Sequence, residues 1–432
     1  MSLAENIEFL SRLPKPGDWP IYGRGLHSGP PSPLMEMHDF GSNPGNLRMF
    51  AFVPARLQQP RALVVVLHGC GQTAGAYDLG AGWSSLAKHY GFALLLPQQQ
   101  HVNNANGCFN WFHKGDIARG HGEACSIRQM IARMARDYNI DPRRVFITGL
   151  SAGGAMTSVM LATYPEVFAA GAIIAGLPFG VATNVREALS AMLGAAPRPA
   201  SELGDLVRGA SKHRGHFPRV SVWHGTADRT VNSVNAGEIV KQWLDVHHLP
   251  EAPMSGTVVD GHPRQVWWNE EGDTIVESYT IGDMAHGTPI GRADDGKRYG
   301  RKGAFLLEAG ISSSYHIAKF FGLTHWIRDA RPALPQSPST RLIPAVSLTA
   351  PAVTALRPKA ERPQVAEPEP APLVQAVPER ANLQPTPLRE ASQPKRKVAP
   401  KKREKQRRVL DEVGGKIVRA LISAGLMQKR QP

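Results

Sequence analysis

The sequence predicts an α/β domain built on a mostly parallel sheet with helices on both faces, followed by a disordered basic tail. Three observations predict this class. Short apolar runs rich in Val, Ile and Leu recur up to residue 281, as expected for strands buried on both sides. Segments with helical apolar spacing separate these runs, and strands that alternate with helices form parallel sheets. Beyond residue 330 the composition changes and the apolar periodicity ends.

The positive charge of the chain is concentrated in its last quarter. Residues 331–432 contain 20 Lys and Arg against 8 Asp and Glu, which leaves a nearly neutral 30 against 28 for residues 1–330. Residues 331–400 hold 15 of the 36 prolines, a composition that cannot bury enough apolar surface to fold. We therefore predict a globular domain over 1–330, a disordered Pro- and Ala-rich linker over 331–400 and a basic tail over 401–432.

The elements of the globular domain follow in a regular order. Residues 47–54 come after a turn-like Ser-Asn-Pro-Gly segment and are predicted to form the first strand. Buried strands are predicted at 63–67, 93–97, 145–148, 170–176, 219–225 and 274–281, and helices at 83–91, at 122–138 and from 154 to about 164. Residues 177–218 interrupt this alternation, and we expect them to form a helical excursion.

A serine follows the strand at 145–148 in a setting typical of a catalytic nucleophile. The pentapeptide Gly-Leu-Ser-Ala-Gly, with Ser151 at its centre, matches the nucleophile-elbow pattern of a strand, a sharp turn and a helix. The pattern alone is weak, because glycine is common in this chain. The strand before it and the small-residue helical segment after it supply the required context, so we interpret Ser151 as a nucleophile.

A serine nucleophile needs a base, which is itself oriented by a carboxylate. In α/β-hydrolases these residues occur in the order Ser, acid, His, each after a strand. Asp228 follows the predicted strand 219–225, and His286 follows the predicted strand 274–281, so both are placed as triad partners. Asp283 is a rival acid that lies close to His286 in sequence, and His224 is a rival histidine that we interpret as a packing residue.

Ester hydrolysis through a serine also needs two N–H donors for the developing oxyanion. Ala152, directly after the nucleophile, is predicted to supply one from the start of its helix. Cys70, in the His-Gly-Cys-Gly turn after strand 63–67, is predicted to supply the other. The alternative for this turn is a loop that only ends the strand.

These residues carry a family resemblance over residues 45–290. The motifs are LHGCGQ (67–72), NGCFNWF (106–112), GEACSIRQMI (122–131), FITGLSAGGAM (146–156) and HGTAD (224–228). Together they resemble the catalytic domain of polyhydroxybutyrate depolymerase-family esterases, which are related to feruloyl and acetylxylan esterases. The resemblance implies an α/β-hydrolase fold with Ser151, Asp228 and His286 as the triad and Cys70 as an oxyanion donor.

Two further expectations rest on the resemblance alone. It implies a Cys70–Cys108 disulfide, which leaves Cys125 unpaired as a small buried residue, and it implies that Trp111 lines the acyl pocket. From the residues themselves, Trp111 fits a core position equally well.

The predicted function is a serine esterase that hydrolyses poly- or oligo-3-hydroxybutyrate through an acyl-enzyme, with no metal or organic cofactor. The alternative is a feruloyl- or acetylxylan-type carboxylesterase. A fold used only as a scaffold is the third hypothesis, and the ordered Ser, Asp and His argue against it.

The basic tail supports a separate binding hypothesis. Residues 394–408 form a Lys- and Arg-rich run, which is typical of contacts with an anionic surface or a nucleic acid. Residues 408–428 have the apolar spacing of a short amphipathic helix, weakened by two adjacent glycines. The alternative is a solvated tail that aids solubility. No aromatic residue interrupts the run, so base stacking is not expected.

The cellular compartment and the oligomeric state stay open at this level. The N-terminal residues lack the apolar core of a signal peptide, and no apolar run is long enough to cross a membrane. We therefore expect no leader and no transmembrane segment. Secreted depolymerases of the family that the chain resembles usually carry a leader and a separate polymer-binding domain, so we expect soluble oligomers or small esters rather than insoluble polymer as substrates. A disulfide favours an oxidising compartment, whereas an absent leader favours the cytoplasm.

Overall fold

A computed structural model of the chain describes residues 32–324. These residues cover most of the predicted globular domain. The predicted linker, the basic tail and its amphipathic segment lie outside the described residues, so the domain boundary at 330 stays a prediction.

A ten-stranded sheet runs through the described residues in the order β1-β2-β4-β3-β5-β6-β7-β10-β9-β8. A separate two-stranded sheet pairs β11 with β12. The strands are β1 Met35–Met37, β2 Arg48–Phe52, β3 Leu63–Leu67, β4 Ala93–Gln98, β5 Val145–Leu150, β6 Ala170–Ile174, β7 Arg219–Gly225, β8 Ser255–Val259, β9 His262–Trp268, β10 Thr274–Ile281, β11 Thr288–Arg292 and β12 Leu306–Ile311.

The six central strands, from β4 to β10, pair in parallel, and antiparallel strands flank them on both sides. Every residue of β3, β5 and β6 is buried, which explains why these strands appear in the sequence as unbroken apolar runs. The predicted α/β class and its mostly parallel sheet are confirmed.

Helices cover both faces of the sheet. The helices in the described residues are α1 Ala74–Ala81, α2 Trp83–Tyr90, α3 Lys114–Ile117, α4 Gly122–Tyr138, α5 Ala152–Thr163, α6 Val185–Met192, α7 Ala200–Gly209, α8 Val234–Val246 and α9 Ser313–Phe320. The alternating side chains of β3 separate two hydrophobic cores: Leu63, Val65 and Leu67 face α4, α5 and α8, whereas Val64 and Val66 face α1, α2 and α9. Each face therefore has its own apolar layer.

The sheet is larger than the sequence pattern predicts. The hairpin β8–β9 extends it beyond β10, although most residues of β8 are exposed and lack an apolar run. Two strands, β11 and β12, follow the strand that we predicted to be the last. These strands were missed because half-exposed edge strands do not produce continuous apolar segments.

The predicted helical excursion between β6 and β7 contains α6 and α7. Its apolar residues Ala188, Ala191 and Val207 belong to the core on the α8 face of the sheet. The buried amide of Gln242, on α8, donates to the carbonyl oxygens of Phe179 and Leu203 at 3.0 and 2.9 Å. The excursion is thus fixed to α8.

Among residues 32–324, no helix combines the length and the apolar character needed to span a bilayer.

Candidate active site

Ser151 lies at the turn between β5 and α5. Its backbone has φ 83° and ψ −110°, a strained conformation for a residue with a side chain. The Ser151 amide donates to the Ile174 carbonyl oxygen at 3.0 Å, which fixes the turn to the neighbouring strand β6. Strain of this kind costs about 1–3 kcal/mol and persists only where the surrounding structure enforces it.

The structure brings Ser151, Asp228 and His286 into one hydrogen-bonded chain. His286 Nδ1 lies 2.7 Å from Asp228 Oδ2, and His286 Nε2 lies 2.8 Å from Ser151 Oγ. A carboxylate only accepts, so Nδ1 carries a proton and donates it to Asp228. In the neutral imidazole, Nε2 then carries no proton and accepts a hydrogen bond from the Ser151 hydroxyl. The rival acid Asp283 is exposed, and its amide donates to Thr226 Oγ1.

Asp228 is buried at the end of β7 and accepts hydrogen bonds on both oxygens. Its Oδ1 accepts from the amides of Thr230 and Val231 at 2.9 Å each. Its Oδ2 accepts from His286 and also lies 3.2 Å from His224 Nε2. Burial alone would raise the pKa of the Asp228 carboxyl, but the hydrogen bonds from His224 and His286 outweigh it and hold the pKa well below its usual value. Asp228 is therefore a fixed negative charge beside His286.

The two predicted oxyanion donors lie on segments that contact each other. A Cβ built on Gly153, in the first turn of α5, would lie 2.5 Å from the carbonyl oxygens of Leu67 and His68. The first turn of α5 therefore packs directly against the chain that leads to Cys70. Within the described residues, the amides of Cys70 and Ala152 donate to no other group. Both N–H groups are thus available for a ligand.

The loop that carries Cys70 is held from several sides. A disulfide joins Cys70 to Cys108, and the Gly71 amide donates to the Asn106 carbonyl oxygen at 2.8 Å. On the other side, the Gly69 amide donates to Gln72 Oε1 at 2.9 Å. These bonds fix the backbone on both sides of the Cys70 amide.

A buried histidine orders the same loop. His68 Nε2 accepts from the Gln99 amide at 3.1 Å, so its Nδ1 carries the proton and donates to the Gly69 carbonyl oxygen at 2.8 Å. Burial lowers the pKa of His68 to about 4, so the ring is neutral at pH 7. Its role is structural, because both nitrogens bind the backbone.

Glu123 is a buried carboxyl behind this loop. It accepts from Gln99 Nε2 at 2.5 Å and from the Asn110 amide and Nδ2 at 2.9 and 2.8 Å. Gln99 Nε2 also donates to the Cys108 carbonyl oxygen at 3.0 Å, so the network reaches the disulfide. Complete burial, with Asp116 as a nearby like charge, outweighs these donors and raises the pKa of Glu123 to about 8.

The raised pKa of Glu123 predicts that this carboxyl makes stability fall as pH rises. Below about pH 4.5 the carboxyl is protonated in both folded and unfolded chains, and its stabilising effect is fully present. Between about pH 4.5 and 8 only the folded chain keeps the proton, so the free energy of unfolding falls by about 1.4 kcal/mol per pH unit. We expect E123Q to remove this part of the decline in thermal unfolding scans from pH 5 to 7.5. The exposed-site control E308Q should keep the wild-type slope, and an unchanged slope in E123Q would contradict the assignment.

One side-chain cluster within residues 32–324 has the spacing to hold a cation. Asp260, Asp294 and His316 place their ligand atoms within 4.8 Å of one another. Lys319 Nζ already lies 2.8 Å from Asp294 Oδ2 and His316 Nε2 lies 3.0 Å from Asp260 Oδ2, so both carboxylates are partnered. The cluster shares no residue with the hydrogen-bonded chain of Ser151.

Comparison with known proteins places this chain in a family. The family model for the esterase PHB depolymerases matches residues 49–262. Poly(3-hydroxyalkanoate) depolymerase C of Paucimonas lemoignei is 45% identical over 291 residues, which cover 67% of this chain and 70% of that protein. The chain belongs to the PHB depolymerase esterase family. This esterase is a carboxylic ester hydrolase, as the sequence predicts.

Enzymes named for other esters are also similar to this chain. An acetylxylan esterase of Coprinopsis cinerea is 34% identical to this esterase, with 61% of this chain and 72% of that protein covered. Among solved structures, acetyl xylan esterase from Aspergillus awamori superposes with a TM-score of 0.56 at 24% identity, covering 67% of this chain and 99% of that one. This structural likeness supports the α/β-hydrolase fold, which is confirmed.

Two aromatic residues of the esterase differ in their placement. Trp111 is buried, with 7% of its surface exposed, and its ring packs edge-on against Phe112 in the core of the α5 face. Phe305 is partly exposed, and its ring lies edge-on to His286 with centroids 6.0 Å apart. Its φ of 60° is strained for an aromatic residue, and its carbonyl oxygen accepts from the Thr288 amide at 2.8 Å.

The contacts of several residues at the site escaped the sequence analysis. Glu123 appears in the sequence as an ordinary acidic residue in the first turn of an amphipathic helix. Phe305 lies in a segment without periodicity, and His224 appears as the end of a strand. The available signal for Glu123 and His224 was their position inside the family-like motifs; Phe305 has none, because only the folded chain brings it beside His286.

Proposed function

We propose that this esterase hydrolyses soluble oligo- or poly-3-hydroxybutyrate esters, with Ser151 as nucleophile, His286 as base and Asp228 as orienting acid. The hydrogen-bonded chain from Asp228 through His286 to Ser151 carries the proposal, because it activates a hydroxyl that is otherwise a poor nucleophile. The name of the Paucimonas lemoignei relative supports the polyester substrate.

Acylation follows from the geometry of the triad. Ser151 Oγ attacks the ester carbonyl carbon while its proton passes to His286 Nε2. Asp228 stabilises the imidazolium that results. The carbonyl oxygen takes up the negative charge and accepts from the free amides of Ala152 and Cys70. As the tetrahedral intermediate collapses, the bond to the alcohol oxygen breaks and His286 returns the proton to that oxygen.

Deacylation repeats the same steps with water. His286 Nε2 accepts a proton from water as the water oxygen attacks the acyl carbon of the Ser151 ester. The Ala152 and Cys70 amides again bind the oxyanion. Ser151 Oγ leaves, regains the proton from His286 and releases the hydroxy acid. Each oxyanion donor is worth roughly 3–4 kcal/mol of barrier in such sites.

Phe305 favours an apolar alcohol portion over a sugar. In this mechanism the departing alcohol oxygen receives its proton from His286, so the alcohol portion of the ester lies beside that ring. The partly exposed Phe305 ring also lies beside His286, edge-on to it. A hydroxyalkanoate chain loses little by packing against an aromatic wall, whereas a sugar would have hydroxyl groups desolvated there.

The substrate proposal predicts product release from soluble 3-hydroxybutyrate trimer and tetramer. Mass spectrometry should detect monomer and dimer, with kcat/KM at least ~10-fold above that for methyl ferulate and acetylated xylo-oligosaccharides, since ~1.4 kcal/mol of differential binding gives this ratio. Release of acetate or ferulate from the latter two while the 3-hydroxybutyrate oligomers stay intact would instead support the acetylxylan or feruloyl esterase alternative. The named relatives make that alternative the second candidate.

The role of Trp111 at the acyl pocket rests on family resemblance, and its burial in the core favours packing. The binding hypothesis for the basic run at 394–408 rests on sequence charge alone, since no described residue contributes to it.

A further inference from the structure

His224 contacts the same carboxylate oxygen as His286. Its side chain, at the end of β7, is 2% exposed. Its Nε2 lies 2.9 Å from the Val231 carbonyl oxygen and 3.2 Å from Asp228 Oδ2. Both of these oxygens can only accept, so His224 Nε2 carries a proton in every protonation state of the ring. Its hydrogen bond goes to the Val231 carbonyl oxygen, and Asp228 Oδ2 lies at ion-pair distance. A second imidazole N–H therefore lies beside the carboxylate that orients His286.

This contact completes the hydrogen bonding of Asp228. The amides of Thr230 and Val231 hold Oδ1, and the two histidines hold Oδ2. With its side chain fully buried, the carboxylate has no solvent to replace a missing donor. His224 thus restricts both the rotation of the carboxylate and the share of its negative charge that faces His286.

Packing alone does not account for an imidazole at this position. The other ring nitrogen, His224 Nδ1, is buried and has no hydrogen-bond partner among the described residues. An unsatisfied buried polar atom costs about 1–3 kcal/mol, which a leucine of similar volume would avoid. The neighbouring Val220 and Val222, on the same face of β7, show that apolar side chains fit here. His224 Nε2 has two favourable contacts, the hydrogen bond to the Val231 carbonyl oxygen and the electrostatic contact with Asp228.

We propose that His224 is a positioning residue, which holds the Asp228 carboxylate against His286 and sets the basicity of His286. The proposal rests on the proposed function of the triad and extends it by a fourth residue. Asp228 lies between the two imidazoles, so His224 acts on His286 without touching the substrate. The strong lowering of the Asp228 pKa, to which His224 contributes, is consistent with this contact.

Other ionisable groups near His224 are few. It lines a cleft of about 480 Å³ between α8 and the sheet, together with Glu238, Lys241 and Glu251. Glu238 and Lys241 form an ion pair at 2.5 Å and largely neutralise each other. Asp283, in the loop after β10, is exposed. Asp228 is the group that contacts His224 directly, so the pH readout below reports on this contact.

The test compares H224L with H224Q in the full chain, using p-nitrophenyl butyrate as a soluble ester. In H224L, Asp228 loses a donor, its charge acts more strongly on His286, and the imidazolium is stabilised. The acidic limb of the kcat/KM profile should therefore move to higher pH by about half a unit, while loss of orientation lowers kcat by about 10- to 100-fold. KM should stay within about twofold, because His224 does not contact the substrate.

The glutamine variant separates positioning from packing. Its amide nitrogen reaches about as far as Nε2 and can donate to Asp228, so H224Q should restore the acidic limb and most of kcat. The asparagine side chain of H224N is polar but too short to reach Asp228, so H224N should behave like H224L. It replaces H224L in the comparison if H224L does not fold. Equal activity loss in H224L, H224N and H224Q with an unshifted acidic limb would mean that His224 only packs, and wild-type kinetics in H224L would also overturn the proposal.

A spectroscopic readout keeps the inference separate from the esterase proposal. The Nδ1 proton of His286, bonded to Asp228, gives a downfield signal in one-dimensional proton NMR that needs no substrate. We expect its midpoint of titration to rise in H224L and to return in H224Q. If the wild-type protein hydrolyses no ester but the midpoint still rises in H224L, the proposed function is contradicted and the positioning role stands. An unshifted midpoint in H224L would refute the positioning role itself.

Discussion

Replacing Ser151 with alanine is expected to lower kcat for ester hydrolysis by about 10⁴- to 10⁶-fold and to leave the fold unchanged. The reason is geometric: the hydroxyl removed is the group that His286 Nε2 accepts at 2.8 Å, and no other described hydroxyl is hydrogen-bonded to that nitrogen. The measurement is single-turnover and steady-state hydrolysis of p-nitrophenyl butyrate, with thermal unfolding as a check on the fold.

The matched control for this variant is S158A. Ser158 lies two turns further along α5, and its Oγ donates to the Leu177 carbonyl oxygen at 2.8 Å rather than to His286. We expect S158A to lose about 1 kcal/mol of stability but to keep kcat within a few fold. If S151A retained a tenth of the wild-type rate, the nucleophile would have to be another group, and the triad assignment would be wrong.

Replacing Gly153 with alanine is expected to damage both stability and catalysis. The new Cβ would lie 2.5 Å from the carbonyl oxygens of Leu67 and His68, which are backbone atoms that cannot rotate away. The first turn of α5 must then move from the end of β3. Overpacking of this kind costs about 1–3 kcal/mol. A displacement of about 1 Å between the Ala152 and Cys70 amides should lower kcat/KM by about 10²-fold.

Gly237, in α8, provides the control for the G153A variant. It is also a helical glycine, but a Cβ built there meets no atom within 4 Å. Alanine favours helix over glycine, so G237A should raise the free energy of unfolding by about 0.5–1 kcal/mol without changing kcat/KM. Urea unfolding gives the free energy of unfolding of both variants, and ester hydrolysis gives their kcat/KM. Wild-type kinetics in G153A would show that the contact between α5 and the Cys70 loop does not position the oxyanion donors.

The buried centre of the fold was predictable from the sequence because its patterns are local. Strands buried on both faces appear as short apolar runs, and the structure has them where those runs occur, as in β3 and β5. Parallel pairing then follows from the helices between the strands. The order of Ser151, Asp228 and His286 along the chain predicted that they would meet, since carboxyl ends of parallel strands share one edge of the sheet. Their catalytic roles stay a prediction until the kinetics are measured.

What the sequence did not reveal depends on contacts between distant residues. The β8–β9 hairpin is half-exposed, so its composition resembles a loop. Glu123 meets the Cys70 loop only through Gln99 and Asn110. For His224, its place in the turn at the end of a strand favoured a packing role. The structure shows a contact to Asp228 that this local pattern does not encode. Burial and direction of side chains are properties of the folded chain.

The excursion between β6 and β7 has an evolutionary consequence. Residues 177–218 leave and re-enter the sheet between two strands, whereas Ser151, Asp228 and His286 follow β5, β7 and β10. The excursion meets the loop after Asp228 through the Asn232 amide, which donates to the Met192 carbonyl oxygen at 2.8 Å. Changes at the exposed surface of this segment can leave the supports of the three side chains intact, whereas changes at Met192 would disturb the loop after Asp228. The exposed positions of the excursion can therefore diverge in sequence while the three side chains at the ends of β5, β7 and β10 are inherited unchanged.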